Sequence, residues 1–149
     1  MSLENTINQD IKTAMLAKDK KTLEALRAVK AAILLAKTDK GTGGNVAEDA
    51  EMKILQKLVK QRRESAELYK SQNRDDLVEE ELFQMKVIEK YLPEQMNKDD
   101  IRKAVQEIIA ETGASSIKDM GRTMGMASKK LAGQADNKVV AQIVKELLS

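Results

Sequence analysis

The chain contains no cysteine and no histidine, and these two absences limit the chemistry that its side chains can perform. Without cysteine there is no disulfide, no thiol nucleophile and no thiolate metal site. Without histidine the commonest general base and the commonest neutral metal ligand are missing. Serine–histidine and cysteine–histidine nucleophilic catalysis and ordinary zinc sites are therefore excluded. We expect no catalytic residue, no metal ligand and no cofactor.

Aromatic residues make up only 2% of the 149 residues, and proline occurs once, at Pro93. The core must therefore be built from Leu, Ile, Val, Ala and the eight Met residues. This composition suits packed helices and is poor for sheets. Apolar residues recur at helical spacing along almost the whole chain, for example at Leu23, Leu26, Val29 and Ile33. The sequence therefore predicts an all-α fold.

Two interruptions divide the helical pattern. The glycine-rich run Lys40–Asn45 predicts a flexible loop. Pro93 disfavours helical backbone at the residue before it, and we place a domain boundary there. The prediction is an N-terminal helical hairpin-type domain of about four helices over residues 1–92. A small three-helix C-terminal bundle follows over residues 93–149.

Charge and hydropathy narrow the expected partners and location. The net charge is +2, so nucleic-acid binding would have to depend on a local basic patch. No window approaches the ~20 apolar residues that span a bilayer. Residues 1–14 contain Glu4 and Asp10 and have the character of neither a signal peptide nor a transit peptide. We therefore expect a cytoplasmic protein with no membrane partner and no DNA partner.

The most informative segment runs from Ile117 to Leu131. At about 100° per residue, one side of this helix carries the apolar residues Ile117, Met120, Met124, Ala127 and Leu131. The opposite side is basic, and residues 113–138 hold five basic residues against two acidic ones. We predict that this side binds RNA through Lys118, Arg122, Gly125, Lys129 and Lys130. Because no aromatic residue follows Pro93, the contacts would be to phosphate and to RNA shape rather than to stacked bases.

Two glycines interrupt the same helix. Gly121 and Gly125 each cost about 1 kcal/mol relative to alanine in a helix interior, so some interaction should offset that cost. One explanation is close packing of a second helix against the Gly-x-x-x-Gly pair. The other is that Gly125 allows a sugar-phosphate backbone to approach between basic side chains. The sequence leaves both open.

Arg27 and Arg62 both occur at helical spacing with apolar positions. A half-buried arginine must be paired or hydrogen-bonded, because desolvating a lone charge is costly. Glu81 lies near the apolar side of its own helix, so we predict structural ion pairs among Arg27, Arg62 and Glu81. Binding of an anionic ligand by the arginines is the alternative. The acidic run Asp75–Glu81 indicates helix capping and a solvated face rather than a metal site.

Several motifs, in their order and spacing, together resemble the YqeY family over the whole chain: Leu23-Glu-Ala-Leu-Arg27, Gln61-Arg-Arg-Glu-Ser65, Tyr91-Leu-Pro93, Gly121-Arg-Thr-Met-Gly125 and Lys129-Lys-Leu-Ala-Gly133. The region after Pro93 is also similar to the C-terminal tail of the B subunit of the tRNA-dependent glutamyl/aspartyl amidotransferase. The resemblance implies an N-terminal helical domain, a small C-terminal helical bundle and a tRNA-binding tail. It also implies the label of carbon–nitrogen ligase with glutamine as amido-N-donor. The chain departs from the family at Gln84, where an acid is usual.

Three functions follow from these observations. The first is a non-catalytic tRNA- or RNA-binding or accessory protein, with an amidotransferase or a translation component as protein partner. The second is a carbon–nitrogen ligase, alone or as a subunit. The third is a helical protein–protein adaptor. The sequence has no phosphate-binding loop and no amidase Ser-Ser-Lys constellation, so we expect no amidation by this chain alone. The basic stripe favours the first function over the third.

Overall fold

The computed structural model describes residues 2–38 and 46–149, and the predicted loop Lys40–Asn45 lies outside them. Within the described residues there are seven α-helices, one 3-10 turn and no strand, which confirms the all-α prediction. The helices are α1 (Leu3–Leu16), α2 (Lys20–Lys37), α3 (Glu48–Ser71), α4 (Asp75–Glu89), α5 (Lys98–Thr112), α6 (Met120–Lys130) and α7 (Asn137–Leu148). The 3-10 turn, Ile117–Asp119, directly precedes α6.

The chain divides into two compact units, Met1–Leu92 and Pro93–Ser149. The N-terminal unit contains α1 to α4, and the C-terminal unit contains the 3-10 turn and α5 to α7. No helix in the described ranges is both long and apolar enough to cross a membrane.

Short polar side chains set where the first helices of the N-terminal unit begin. Ser2 accepts a hydrogen bond from the backbone N–H of Asn5, and Asp19 accepts one from the backbone N–H of Thr22, so each caps a helix start. In this unit α3 packs on α4, α1 packs on α2, and α2 contacts both α3 and α4. The buried core consists of Ile7, Ala14, Ala25, Leu26, Val29, Ile33, Leu55, Val59, Val87 and Ile88.

The C-terminal unit follows the local signals of its sequence closely. Asn97 caps α5, Gly113 ends it with a φ of 70°, and Asp136 caps α7. A positive φ favours glycine because it has no Cβ, so α5 ends at a residue that adopts this conformation without strain. The core joins all three helices and consists of Ile101, Val105, Ile108, Ala114, Ala127, Leu131, Ala135, Val140, Ile143, Val144 and Leu148.

Candidate nucleic-acid interface

Helix α6 packs on α5 and α7 through one side only. Ala127 and Leu131 are buried in the core, while Met120 and Met124 pack against it and stay partly exposed. Thr123 is fully buried on the same side, and its hydroxyl donates to the carbonyl oxygen of Asp119 at 2.9 Å. This bond satisfies the hydroxyl inside an otherwise apolar core. The packing side of α6 is therefore the side that the sequence predicts, and the opposite side remains open.

The structure corrects one member of the predicted packing side. Ile117 is 47% exposed, although its spacing from Met120 and Met124 placed it inward. The reason is that Ile117 lies in the 3-10 turn and not in α6. A 3-10 turn has about three residues per turn, so the α-helical phase of 100° per residue does not extend to it.

All five predicted RNA-binding residues are exposed: Lys118, Arg122, Gly125, Lys129 and Lys130. Lys118 belongs to the 3-10 turn, and the other four belong to α6. We call the exposed α6 residues Gly121, Arg122, Gly125 and Lys129, together with the exposed Lys118 of the preceding turn, the α6 face. Lys130 stands at its edge.

The charges of the α6 face are paired to different extents. Arg122 Nη2 donates to the carbonyl oxygen of Thr112 at 3.2 Å and lies 3.9 Å from Oδ1 of Asp119. Lys130 Nζ lies 3.5 Å from Oε2 of Glu107. Lys118 and Lys129 form no hydrogen bond or ion pair with any residue in the described ranges. Two cations are therefore unpaired there, and the contacts of Arg122 and Lys130 are exposed and weak.

Asp119 is the acidic neighbour of this face. Backbone N–H groups of Ser115 and Ser116 donate to its carboxylate, at 3.0 Å and 3.4 Å. These bonds, with a smaller contribution from Arg122, hold the pKa of Asp119 below its usual value. Asp119 is therefore charged at neutral pH and is occupied chiefly in shaping the turn before α6.

The two glycines of α6 leave its backbone bare. A Cβ placed at Gly121 or at Gly125 would meet no atom within 4 Å, so no part of the described chain packs on either position. Close packing of a second helix on the Gly-x-x-x-Gly pair is therefore not realised inside this part of the chain. No contact in the described part of the chain therefore offsets the cost of these glycines, which is about 1 kcal/mol at Gly125 in the helix interior and smaller at Gly121 in the first turn of α6.

Exposed apolar side chains border the same surface. Met126 on α6 is 39% exposed, and Ile117 lies at the start of the segment. Sequence reasoning did not single out Met126, although its helical phase already placed it away from Met124 and Ala127. The surface around the α6 face thus combines the bare backbone of the two glycines, the cationic side chains and the exposed apolar side chains of Ile117 and Met126.

The predicted ion pairs among Arg27, Arg62 and Glu81 do not form within the described residues. Arg27 is exposed and has no partner among those residues. Arg62 is half-buried, and its Nε donates to Oε1 of Gln84 at 3.1 Å while Nη1 donates to the carbonyl of Leu58 at 3.2 Å. The partner of Arg62 on α4 is thus the neutral amide of Gln84, which lies one helical turn beyond Glu81.

One polar contact joins positions too far apart for sequence reasoning to connect. The hydroxyl of Tyr91, just after α4, donates to the carboxylate of Asp10 on α1. Burial, and then this hydrogen bond, raise the pKa of Tyr91 well above its usual value.

Among the described residues, no group of three or more carboxylates is placed to hold a metal ion.

Comparison with known proteins gives a consistent family. The profile of the family described as "Yqey-like protein" matches residues 4–148. Three curated relatives share the name "Altered inheritance of mitochondria protein 41, mitochondrial". The one from Meyerozyma guilliermondii is 43% identical over 88 residues, which cover 59% of this chain and 45% of that protein. The one from Pyrenophora tritici-repentis is 30% identical over 149 residues, which cover 95% of this chain and 78% of that protein. The one from Clavispora lusitaniae is 35% identical over 91 residues, 61% of this chain and 52% of that protein.

Two facts about these relatives bear on the expectations from the sequence. The match covers about half the length of the first and the third relative. All three are named as mitochondrial proteins, so the cytoplasmic location expected from the sequence is wrong. That expectation depended on the composition of the first residues, which does not decide a compartment.

Proposed function

Because this chain belongs to the Yqey-like protein family, we propose that it is a non-catalytic accessory protein that binds tRNA, or an RNA of similar shape, through the α6 face. One observation carries the proposal. Gly121 in the first turn of α6 and Gly125 in its interior are open beside the cationic side chains of the α6 face, and a Cβ at either glycine would meet no atom of the described chain within 4 Å. A bare helix backbone flanked by cations suits the close approach of a charged polymer backbone.

The chemistry of the α6 face favours phosphate over bases. Residues 93–149 contain no aromatic side chain, so base stacking is not available to the C-terminal unit. Lys118, Arg122 and Lys129 offer three cations for phosphate oxygens. Three such contacts imply that log K falls with log salt with a slope of about −2 to −3, and that binding is weak at physiological salt. Recognition would follow RNA shape rather than sequence.

A protein–protein adaptor is the second candidate, and one observation favours it. Ile117 and Met126 border the α6 face, and exposed apolar groups beside bare backbone also suit a partner helix. The two candidates differ in their dependence on charge, because a packed helix needs the glycines and the apolar groups but not Arg122. The carbon–nitrogen ligase alternative has no observation of this structure in its favour.

The test is a titration of tRNA by filter binding with two variants of the α6 face. Arg122→Glu reverses one charge, and Gly125→Leu adds bulk without changing charge. Each should weaken binding about ten-fold, equivalent to ~1.4 kcal/mol. The matched controls lie on exposed positions of α5: Lys103→Glu makes the same charge change, and Ala110→Leu adds comparable bulk. Both controls should stay within about two-fold.

Circular dichroism verifies that each variant is folded. Wild-type tRNA affinity in the folded Arg122→Glu and Gly125→Leu proteins would eliminate the α6 face as an RNA site. Loss of tRNA affinity in Gly125→Leu alone, with Arg122→Glu unchanged, would contradict the phosphate contact assigned to Arg122, and loss of fold in Gly125→Leu would show that Gly125 serves helix packing.

A further inference from the structure

A groove runs along α2 and α3 in the N-terminal unit. One end is a cavity of about 650 Å³ with the apolar lining residues Ala32, Leu35, Ala36, Ile54 and Leu58. The other end is a cavity of about 630 Å³ whose charged lining residues are Glu24, Arg62, Glu64 and Glu81. Gln61 lines both cavities, so the two lie next to each other beside α2 and α3. The groove therefore changes from apolar to acidic along its length.

The apolar end contains one strongly exposed leucine. Leu35 lines the cavity and is 74% exposed, and its neighbour Leu34 is 44% exposed. Single exposed leucines are ordinary on a protein surface. Leu35, however, lies among the other apolar residues that line this cavity, together with Lys57, and exposed apolar surface of this kind is typical of interaction sites.

The opposite end carries excess negative charge. Glu24, Glu64 and Glu81 form no hydrogen bond or ion pair with any residue of the described ranges. Arg62 is the one cation in this lining, and it donates hydrogen bonds to Gln84 and to the backbone carbonyl of Leu58 rather than to these carboxylates. Three carboxylates against one guanidinium leave this end of the groove negative.

We propose that this groove is the docking site for a basic amphipathic helix of a partner protein. The apolar side chains of that helix cover Leu35 and Leu58, and its Lys- or Arg-rich end lies against Glu24, Glu64 and Glu81. The groove extends along α3 from Ile54 to Leu68, which at 1.5 Å per residue is about 21 Å, the length of a helix of about 14 residues. An acidic helix would be repelled at one end, so charge complementarity selects the basic partner.

The test uses two fluorescent helical peptides of about 15 residues that share leucines at i, i+3, i+4 and i+7. One carries lysines in its other half, and the second carries glutamates at the same positions. Fluorescence anisotropy with the full chain should give binding of the lysine peptide and at least about ten-fold weaker binding of the glutamate peptide. Like-charge contacts at the acidic end are the reason for the difference.

Two groove variants and two matched controls locate the binding. Leu35→Asp and Glu64→Lys should each weaken binding of the lysine peptide about ten-fold, because the first replaces an apolar contact with a charge and the second replaces one of the three carboxylates with a cation. Leu16→Asp changes another leucine that is 79% exposed, and Glu67→Lys changes another exposed glutamate of α3, and neither residue lines the groove. These controls should stay within about two-fold of the wild type.

Three results would overturn the proposal: equal binding of both peptides or of neither, equal losses in the groove variants and their controls, or self-association that Leu35→Asp abolishes. The last result would assign the groove to a second copy of the chain. No groove residue belongs to the α6 face, so failure here and failure of RNA binding are separate outcomes.

Discussion

The two units have the same charge balance and very different surfaces. Each carries one more basic than acidic residue. The N-terminal unit exposes leucines beside a groove with an acidic end. The C-terminal unit exposes bare helix backbone between cations. Net charge thus says nothing about which partner a unit suits, whereas the size and charge of side chains along one helix face do.

The difference follows from how much surface each unit can cover. The C-terminal unit buries the apolar sides of three short helices in one core, and only Ile117 and Met126 remain as exposed large apolar residues. The N-terminal unit contains the 18-residue α2 and the 24-residue α3. Their exposed large apolar residues include Leu34, Leu35 and Leu68. The longer helices keep apolar surface available for a partner, and the shorter ones expose polar backbone instead.

The largest expected effect concerns the two arginines of the N-terminal unit. Arg62→Ala should lower the free energy of unfolding by about 1.5–3 kcal/mol, because it removes two hydrogen bonds of a half-buried charged group. Arg27→Ala should lower it by less than ~0.5 kcal/mol, because Arg27 is exposed. Chemical denaturation of both variants measures the difference. Equal losses would mean that the contacts of Arg62 do not stabilise the fold.

A smaller effect of opposite sign is expected in the C-terminal unit. Gly125→Ala should raise the free energy of unfolding by about 1 kcal/mol, and Gly121→Ala, in the first turn of α6, should raise it by less, because each new Cβ meets no atom within 4 Å and alanine is the better helix former. Gly113→Ala is the control: its site is equally open, but the φ of 70° strains alanine, so this variant should be destabilised. Thermal or chemical denaturation gives the signs. Destabilisation in Gly121→Ala would mean that α6 is packed rather than open.

The smallest expected effect is a difference between the two units in how their stability depends on pH. The raised pKa of Tyr91 means that the folded N-terminal unit keeps this phenol neutral where the unfolded chain ionises it. Its contribution to stability is therefore fully present below the usual tyrosine pKa of ~10 and is lost as the pH rises above that value. The C-terminal unit contains no tyrosine and should not share this loss.

A Tyr69→Phe background leaves Tyr91 as the single tyrosine, and its ultraviolet absorbance then reports phenolate formation directly. Asp10→Asn should bring the titration of Tyr91 toward its usual pKa, because the hydrogen-bond acceptor loses its charge. If Tyr91 ionises at the ordinary tyrosine pKa in the Tyr69→Phe protein that keeps Asp10, this prediction is contradicted.

Local features of this fold could be predicted from the sequence, and long-range ones could not. The caps at Asn97 and Asp136 and the stop at Gly113 depend on residues only a few positions apart, so a short stretch of sequence is enough to locate them. The exposure of Ile117 depends on the change from a 3-10 turn to an α-helix at Met120, and the spacing of apolar residues in the sequence does not show where that change occurs. The contact of Tyr91 with Asp10 joins residues 81 positions apart. No pattern within a single helix carries that information.

The arginine contacts illustrate the same limit at the candidate sites. Sequence reasoning correctly required that Arg62 have hydrogen-bond partners, but it chose Glu81 where the structure uses Gln84. The choice between two α4 residues one turn apart depends on how α3 and α4 are rotated against each other. Helical phase alone could assign the exposed positions of α6, because one helix and one core determine them.

The central claim is that the α6 face contacts RNA, and ultraviolet crosslinking in cell extract tests it most directly. Wild-type protein and the Arg122→Glu variant are irradiated in parallel, the bound RNA is sequenced, and the crosslinked peptides are identified by mass spectrometry. The account predicts that tRNA is recovered with the wild-type chain, that crosslinks fall within Ile117–Lys130, and that recovery drops about ten-fold in the variant. Equal RNA recovery from both proteins, or crosslinks confined to the N-terminal unit, would contradict it.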